Sequence, residues 1–349
     1  MTITNKKSTA HFYFTFLVTI LFCCGFSFGQ DLPIRKIDQQ HVDSLKNSEY
    51  PFVLPIYGDR VQKLGHDLPL PFGIMVNYIS QDNKLTLTNL ELKLNDGEFT
   101  PMEFIQFDEI KSSARVVNVR LDAWLFPFWN VYGLYARAQT DNLVPLVSPF
   151  EFDIPTTPTA DTYGFGTVLA YGTGKYFAIA NTNFTWSNVS SLDGLVFGTV
   201  TNVKIGRSFA FQKRFHNINL SLGVQHQRLQ RNSSGSLSIS EMFSQVDQGK
   251  LQEIKDDINS AATNWYDNLG PAQQILVNQI VGEIQDWLDG RTPGDGELGY
   301  RFDKEPLSEY SFQIGVQYNH GKRWWYRLET GVGKGRTQIL VSANYRFGL

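Results

Sequence analysis

Alternation of apolar with polar or small side chains, in segments of roughly ten residues, is the feature that most constrains this chain, because a period of two belongs to a strand with two different faces. Near the C-terminus Thr337, Ile339, Val341, Ala343, Tyr345 and Phe347 fall on one face. Gln338, Ser342, Asn344 and Arg346 fall on the other, with Leu340 alone out of place. Phe312, Ile314, Val316 and Tyr318 repeat the pattern, as do Ile218, Leu220, Leu222 and Val224. Leu195, Phe197, Val203 and Ile205 share a face with Thr199 and Thr201. Val117, Val119, Leu121, Ala123 and Leu125 oppose Asn118, Arg120, Asp122 and Trp124. In Tyr163, Phe165, Leu169 and Tyr171 the opposite face is glycine and alanine, which predicts a tightly curved interior. The phase slips between Leu87 and Leu90, the mark of a β-bulge. With Phe72 to Ser80, Leu85 to Leu94, Thr100 to Ile110, Asn130 to Ala138, Tyr176 to Trp186 and Trp324 to Gly333, the expected number of strands is about twelve.

The polar opening with Lys6 and Lys7, the apolar block Phe12 to Phe28, and small residues at Ser27 and Gly29 predict a secretory signal peptide cleaved after Gly29. Both cysteines, Cys23 and Cys24, lie within it, so disulfides and Cys-ligated metals are excluded from the mature chain. An acylated Cys24 is the competing reading, but Leu21-Phe22-Cys23 lacks the small residue expected before it. No later apolar run approaches the ~18 residues of a helical membrane span. Nothing in a net charge of -3 suggests nucleic acid.

Strands with one apolar face fit either a soluble sandwich or a membrane barrel, and three observations favour the barrel. Connections alternate in length: 126–129, 173–175 and 321–323 are short, whereas 139–160 and 230–308 are long. Aromatic residues gather beside the short turns, giving a candidate interfacial girdle of Trp124, Phe126, Trp129, Tyr171, Tyr176, Trp324, Tyr326, Tyr345 and Phe347. The chain also ends on a strand, with Tyr345-Arg346-Phe347 close to the terminus.

From about residue 70 to the end the chain resembles a Gram-negative outer-membrane β-barrel protein of porin-like or transporter-like type. Arg120 to Tyr135 has the strand, tight proline turn and strand common in that class, and Gly348-Leu349 departs from its usual C-terminal aromatic. The resemblance implies an all-β transmembrane antiparallel barrel, an outer-membrane location, the lipid bilayer and the barrel assembly machinery as partners, and no cofactor. With both termini periplasmic the strand number is even. Twelve fits the connections; ten follows if the first two segments belong to the N-terminal part.

The expected organisation is a signal peptide 1–29, a periplasmic N-terminal segment 30–70 whose Tyr50-to-Tyr57 stretch is a candidate plug, and a barrel 71–349. A helical insertion is expected at 240–295. Leu251, Ile254, Ile258, Ala261 and Trp265 recur at helical spacing, and Leu276, Ile280, Ile284, Trp287 and Leu288 do so again after Gly270-Pro271. These read as an αα-hairpin in a long external loop, either a gate or a roof over the barrel.

If the apolar face meets lipid, the candidate lumen-lining charges are Glu91, Lys93, Arg120, Asp122, Arg137, Lys204, Arg327, Glu329 and Arg346, six basic and three acidic. An open lumen would favour anionic or polar solutes; a closed one would make them an internal ion-pair network. The first functional expectation is therefore a passive channel or transporter for small polar or anionic solutes. A non-conducting barrel whose external helices or proline-rich loop 139–160 bind a partner is the second. A lipid-modifying enzyme is the third, and no catalytic residue is assigned: the chain has no Gly-x-Ser-x-Gly elbow, no His-x-Ser and no His-Glu-x-x-His, and His226 shares the outward phase of Val224. No metal site is expected.

Overall fold

The structure is a computed structural model that describes residues 36–148, 151–173, 175–211, 213, 215–242 and 266–349. The expected signal peptide and the first half of the expected helical hairpin, residues 251–265, lie outside the described residues. Two compact units are present. In the smaller, 36–50 with 59–67, helix α1 (Lys36–Asn47) and helix α2 (Gly58–Lys63, which begins at the boundary) are joined by Gln62, whose side-chain amide donates to the carbonyls of Leu45 (3.4 Å) and Ser48 (2.9 Å).

The larger unit, 51–58 with 68–349, holds all the strands: β1 (Phe72–Leu94), β2 (Thr100–Pro101), β3 (Gln106–Phe107), β4 (Ile110–Phe126), β5 (Trp129–Ser148), β6 (Phe152–Thr156), β7 (Thr159–Thr173), β8 (Tyr176–Val189), β9 (Leu195–Ala210), β10 (His216–Leu229), β11 (Asn232–Ser238), β12 (Glu297–Pro306), β13 (Tyr310–His320), β14 (Trp324–Gly333) and β15 (Arg336–Phe347). Among the described residues between β11 and β12 are the short helix α3 (Ile239–Met242) and the longer α4 (Pro271–Leu288). Antiparallel pairing runs β1-β4-β5-β7-β8-β9-β10-β13-β14-β15 and returns to β1, so ten strands close a barrel with no free edge. Closure satisfies every ladder within the wall, which is what a sheet in lipid requires.

Ten replaces the expected twelve for two reasons. Phe72 to Ser80 and Leu85 to Leu94 are one strand, β1, and Thr100 to Ile110 is a connection carrying only the two-residue bridges β2 and β3. The phase slip is a real irregularity: pairing with β12 shifts between Thr88 and Glu91, where Asn89 has φ +54°. Loop 139–160 is also mostly strand, because β5 continues to Ser148 and pairs there with β6.

The barrel has a turn end and a loop end. Connections 127–128, 174–175, 211–215 and 321–323 lie at the turn end together with both ends of the barrel sequence. At the loop end β1, β4 and β5 run to 23, 17 and 20 residues, while β13, β14 and β15 stop at 11, 10 and 12. The shorter lengths match the roughly 9–11 residues of a tilted strand that crosses a bilayer. The longer strands carry an extramembrane wall, to which β12 adds on β1 and β11 on β12. One loop-end connection is minimal: Lys334-Gly335 links β14 to β15, and Gly335 supplies the φ of +69° that the turn needs.

Sequence alternation becomes two surfaces. Leu121, Phe165, Val203, Ile205, Leu222, Phe312, Ile314 and Val341 are all between 47% and 73% exposed, on the outer face. Their sequence neighbours Asp122, Asn202, Ser311, Gln313 and Ser342 are at most 7% exposed, on the inner face. A folded barrel with a greasy exterior and a polar interior is inverted relative to a soluble protein and is stable only with lipid around it.

Candidate functional site

Inside the barrel three levels follow from the register. At the turn end Arg346 is 2% exposed, and its guanidinium donates to Asp122 Oδ1 (2.9 Å) and to the carbonyls of Leu70 (2.9 Å) and Pro71 (3.2 Å). Asn130 Nδ2 donates to the same Asp122 oxygen (2.7 Å), and Arg120 donates to Asn130 Oδ1 (3.0 Å) while lying 3.6 Å from the centre of the Tyr132 ring. Gly73 makes this floor possible, since a Cβ there would stand 2.6 Å from Asp122 Oδ2 and 2.8 Å from Arg346 Nη1.

At the waist Lys204 Nζ lies 2.6 Å from Glu329 Oε2, and Arg327 Nη1 lies 3.5 Å from Glu329 Oε1. One carboxylate therefore serves two cations. Asn77 to Asn118 (2.8 Å) and Gln225 to Gln338 (3.3 Å) complete a polar layer.

One cavity of about 1090 Å³ runs from Met75, Arg120 and the waist toward the loop end, and above the waist it changes character. Leu85, Leu87, Leu90 and Leu92 of β1 line it, with Ile110, Leu146 and Phe302, and α4 covers it with Val277, Ile280, Val281 and Ile284. The helix is held there by Gln273, whose amide donates to the Pro101 carbonyl (2.8 Å). Two cations stand at the base of this apolar chamber, Arg336, whose Nε donates to Asn83 Oδ1 (3.1 Å), and Lys304, which burial pushes below the ordinary lysine range.

Six of the nine expected lumen residues are thus inside: Arg120, Asp122, Lys204, Arg327, Glu329 and Arg346. The other three face outward. Past the irregularity at Thr88–Glu91 the inward positions become Leu90 and Leu92, so Glu91 and Lys93 turn out, and Glu91 pairs with Arg301 at 3.2 Å. Arg137 shares the outward face of Tyr135 and lies 4.0 Å from Asp161, whose carboxylate also accepts from the Tyr135 hydroxyl (2.7 Å). Lys304 and Arg336 were missed. Arg336 has the same parity as Gln338, Ser342, Asn344 and Arg346, a signal sufficient to find it, whereas Lys304 lies in β12, inside the expected long connection 230–308.

Outside, the girdle runs in contact around the turn end. Trp324 meets Tyr345 (5.0 Å between ring centres) and Tyr326 (6.1 Å), Tyr345 meets Phe347 (6.4 Å), and Phe347 stacks on Phe72 (5.8 Å). Phe126 stacks on Trp129 (5.9 Å) and Phe128 (5.7 Å), and Tyr171 and Tyr176 are 72% and 57% exposed. Trp124 is the exception: it pairs with inward Asn130 and shares the parity of Asp122, and its ring nitrogen is enclosed. Residues 51–57 lie against this rim, with Ile56 N–H bonded to the Leu125 carbonyl (2.8 Å) and Tyr57 6.1 Å from Phe126. None of them lines the cavity.

The chain has the architecture of an outer-membrane β-barrel. No family model and no curated protein matches it. Among solved structures it is similar to the β-domain of the Bordetella autotransporter BrkA, at 8% identity over 79% of this chain and 100% of that one, with a TM-score of 0.38. It is also similar to the outer membrane protein OprG of Pseudomonas aeruginosa, at 8% identity over 80% and 98%, with a TM-score of 0.38. The translocator domain of the autotransporter NalP from Neisseria meningitidis aligns at 9% identity over 88% and 93%, with a TM-score of 0.34. At such scores these are likenesses of general architecture, and the chemistry of the site rests on this chain's own residues.

Those residues include few candidates for catalysis. His226 pairs with Glu309 (2.9 Å) at the loop end of β10, and His216 and His320 close the strand ends at the turn side, 4.6 Å apart. Among the described residues no group of three or more His, Cys, Asp or Glu side chains is placed to hold a metal.

Proposed function

We propose that the protein is an outer-membrane channel or transporter for small polar or anionic solutes, with its loop end outside the cell and its turn end in the periplasm. In this reading the signal peptide is removed after Gly29, residues 30–70 are periplasmic, and the barrel assembly machinery inserts the chain. The observation that carries it is a succession of inward cations along the wall. Read against the register of β1, Arg346 stands at Gly73, Arg120 at Met75, Arg327 at Asn77 through Ser342, Arg336 at Asn83 and Lys304 at Leu87. A rung recurs every two to six residues, about 7–20 Å at ~3.3 Å per residue, so an anion leaving one is soon within reach of the next. Inward carboxylates on these strands are fewer, Asp122 and Glu329, and both are already paired.

The floor supports a second reading, a non-conducting barrel that displays its helical roof to a partner, because Arg346, Asp122, Asn130 and Arg120 fill the turn end. Planar-bilayer recording of the wild type and of a variant lacking 240–295 separates the two. Anion-selective conductance that rises on deletion is expected for a channel roofed by α4. Stable insertion without current from either form rejects the channel and leaves the display reading.

A further inference from the structure

The upper chamber carries two unlike chemistries side by side. Leu85 and Leu87 lie on the same inward face of β1 as Asn83, and Leu87 is directly paired with Lys304, two residues from inward Phe302. Arg336, paired with Asn83 across β1 and β15, is 4% exposed, and its Nη1 has no hydrogen-bond partner among the described residues. Lys304 has no ion pair or hydrogen bond there either. The carboxylate whose charge reaches Arg336 is Glu309, itself in contact with His226 (2.9 Å), and Glu329 is committed to Lys204 and Arg327. A buried cation such as Arg336 is costly unless an anion accompanies it, and a bulky apolar lining is costly if filled with water. One ligand class relieves both.

We propose that the chamber beneath α4 binds amphiphilic anions taken up as free solutes: an aliphatic or aromatic body against Leu85, Leu87, Ile284 and Phe302, and a single carboxylate-like head on Arg336, with Lys304 a further step up the wall. The inference rests on the channel or transporter reading and narrows its solute. The whole cavity, waist included, measures about 1090 Å³ against the usual ~300–1,000 Å³ of small-ligand sites, and a monoacyl or single-ring anion needs only its upper part. The planar guanidinium of Arg336 suits two carboxylate oxygens, and Lys304 adds an unpaired charge from the neighbouring strand.

The test is calorimetric titration of the full chain in phosphatidylcholine nanodiscs, with empty nanodiscs subtracted, using decanoate, decan-1-ol and acetate. Decanoate is expected to bind roughly tenfold or more tightly than either comparator, since each lacks one of the two contacts and a charge-assisted hydrogen bond alone carries about that factor. Arg336→Gln is expected to weaken decanoate by a similar factor and leave decan-1-ol unchanged. Equal affinity for decanoate and decan-1-ol, or no decanoate heat above empty nanodiscs, overturns the proposal without reference to any variant. Displacement of decanoate by phosphatidylglycerol in the disc assigns the chamber to membrane lipid and overturns the free-solute claim. A barrel that conducts anions yet binds no decanoate refutes this inference alone; one that binds decanoate and never conducts refutes the channel alone.

Discussion

Asp122→Ala is the sharpest perturbation of the barrel floor. The Asp122 side chain is fully enclosed, and it accepts from Arg346 (2.9 Å) and Asn130 (2.7 Å), with Arg120 Nε 4.0 Å away. Truncation leaves Arg346, 2% exposed, charged without its counter-ion. Breaking a buried pair from one side costs about 3–5 kcal/mol, and the lower figure applies here because the Leu70 and Pro71 carbonyls keep hold of the guanidinium. With a urea slope of about 3 kcal/mol per M, the unfolding midpoint of the barrel in vesicles falls by about 1 M. Intrinsic tryptophan fluorescence follows the transition, and loss of the heat-modifiable band in gels gives a second readout. Removing both charges, in Asp122→Ala with Arg346→Met, returns part of the loss, because no isolated charge remains. A midpoint unchanged in the single variant, or a double variant less stable than the sum of the two singles, refutes the account of the floor as a mutually satisfied network.

Two further outcomes follow from the outer face and the extramembrane wall. Leu222, 47% exposed at the middle of β10, meets the hydrocarbon centre, so Leu222→Arg costs about 2–4 kcal/mol and lowers the urea midpoint, whereas the same substitution at Val53, 89% exposed outside the strands, leaves it unchanged; equal effects at both positions would contradict the lipid assignment. Tyr300 on β12 is pushed up to about 12 by burial and then by Asp193 and Glu241, and its hydroxyl donates to the Ser191 carbonyl. A phenol raised above its unfolded value near 10 contributes stability that is complete below pH ~10 and is lost as pH climbs toward 12. The difference in midpoint between wild type and Tyr300→Phe should therefore shrink across that window, and parallel curves would show that Tyr300 does not titrate there.

Period-two alternation made the barrel legible wherever one face met lipid and the other a polar interior. β10, β13 and β15 read directly, down to Leu340, the one apolar residue out of phase, which lines the cavity. Parity also identified the paired charges of the floor and waist, since Arg120 and Asp122, or Arg327 and Glu329, are two residues apart on one strand and must share a face. Strand number was illegible because continuity across Gln81 to Lys84 leaves no mark in the residues: four polar side chains separate the two expected strands, yet they continue β1. β11 and β12 were hidden for a related reason. Ser-rich and charged segments such as Asn232–Ser238 and Arg301–Glu305 carry no lipid-facing stripe, because their outer face is in water.

That difference explains the three misplaced charges and locates the membrane boundary. On the lower part of β1 the outward residues are Ile74, Val76 and Tyr78 and the inward ones include Asn77; above Asn83 the outward residues are Lys84 and Thr86 and the inward ones Leu85 and Leu87. β4 inverts likewise, with Val117, Val119 and Leu121 outward below and Lys111, Ser113 and Arg115 outward above. On β5 the outward Tyr135 gives way to Arg137 and Asp141. Below the inversion a charge reports an inward face; above it most charges report water outside and apolar residues report the chamber within, with Lys304 the inward exception. Glu91, Lys93 and Arg137 all lie above that line. The inversion falls at Asn83 on β1, Arg115 on β4 and Arg137 on β5, near the ~10-residue depth from the turn end that a bilayer demands. The polar floor and waist are consequently within the membrane, and the apolar chamber stands beyond it at the loop end. In the proposed orientation a solute meets the leucine walls and Lys304 first, and Arg336 and the waist cations only at the entrance to the bilayer, the order that tests for an apolar body before an anionic head.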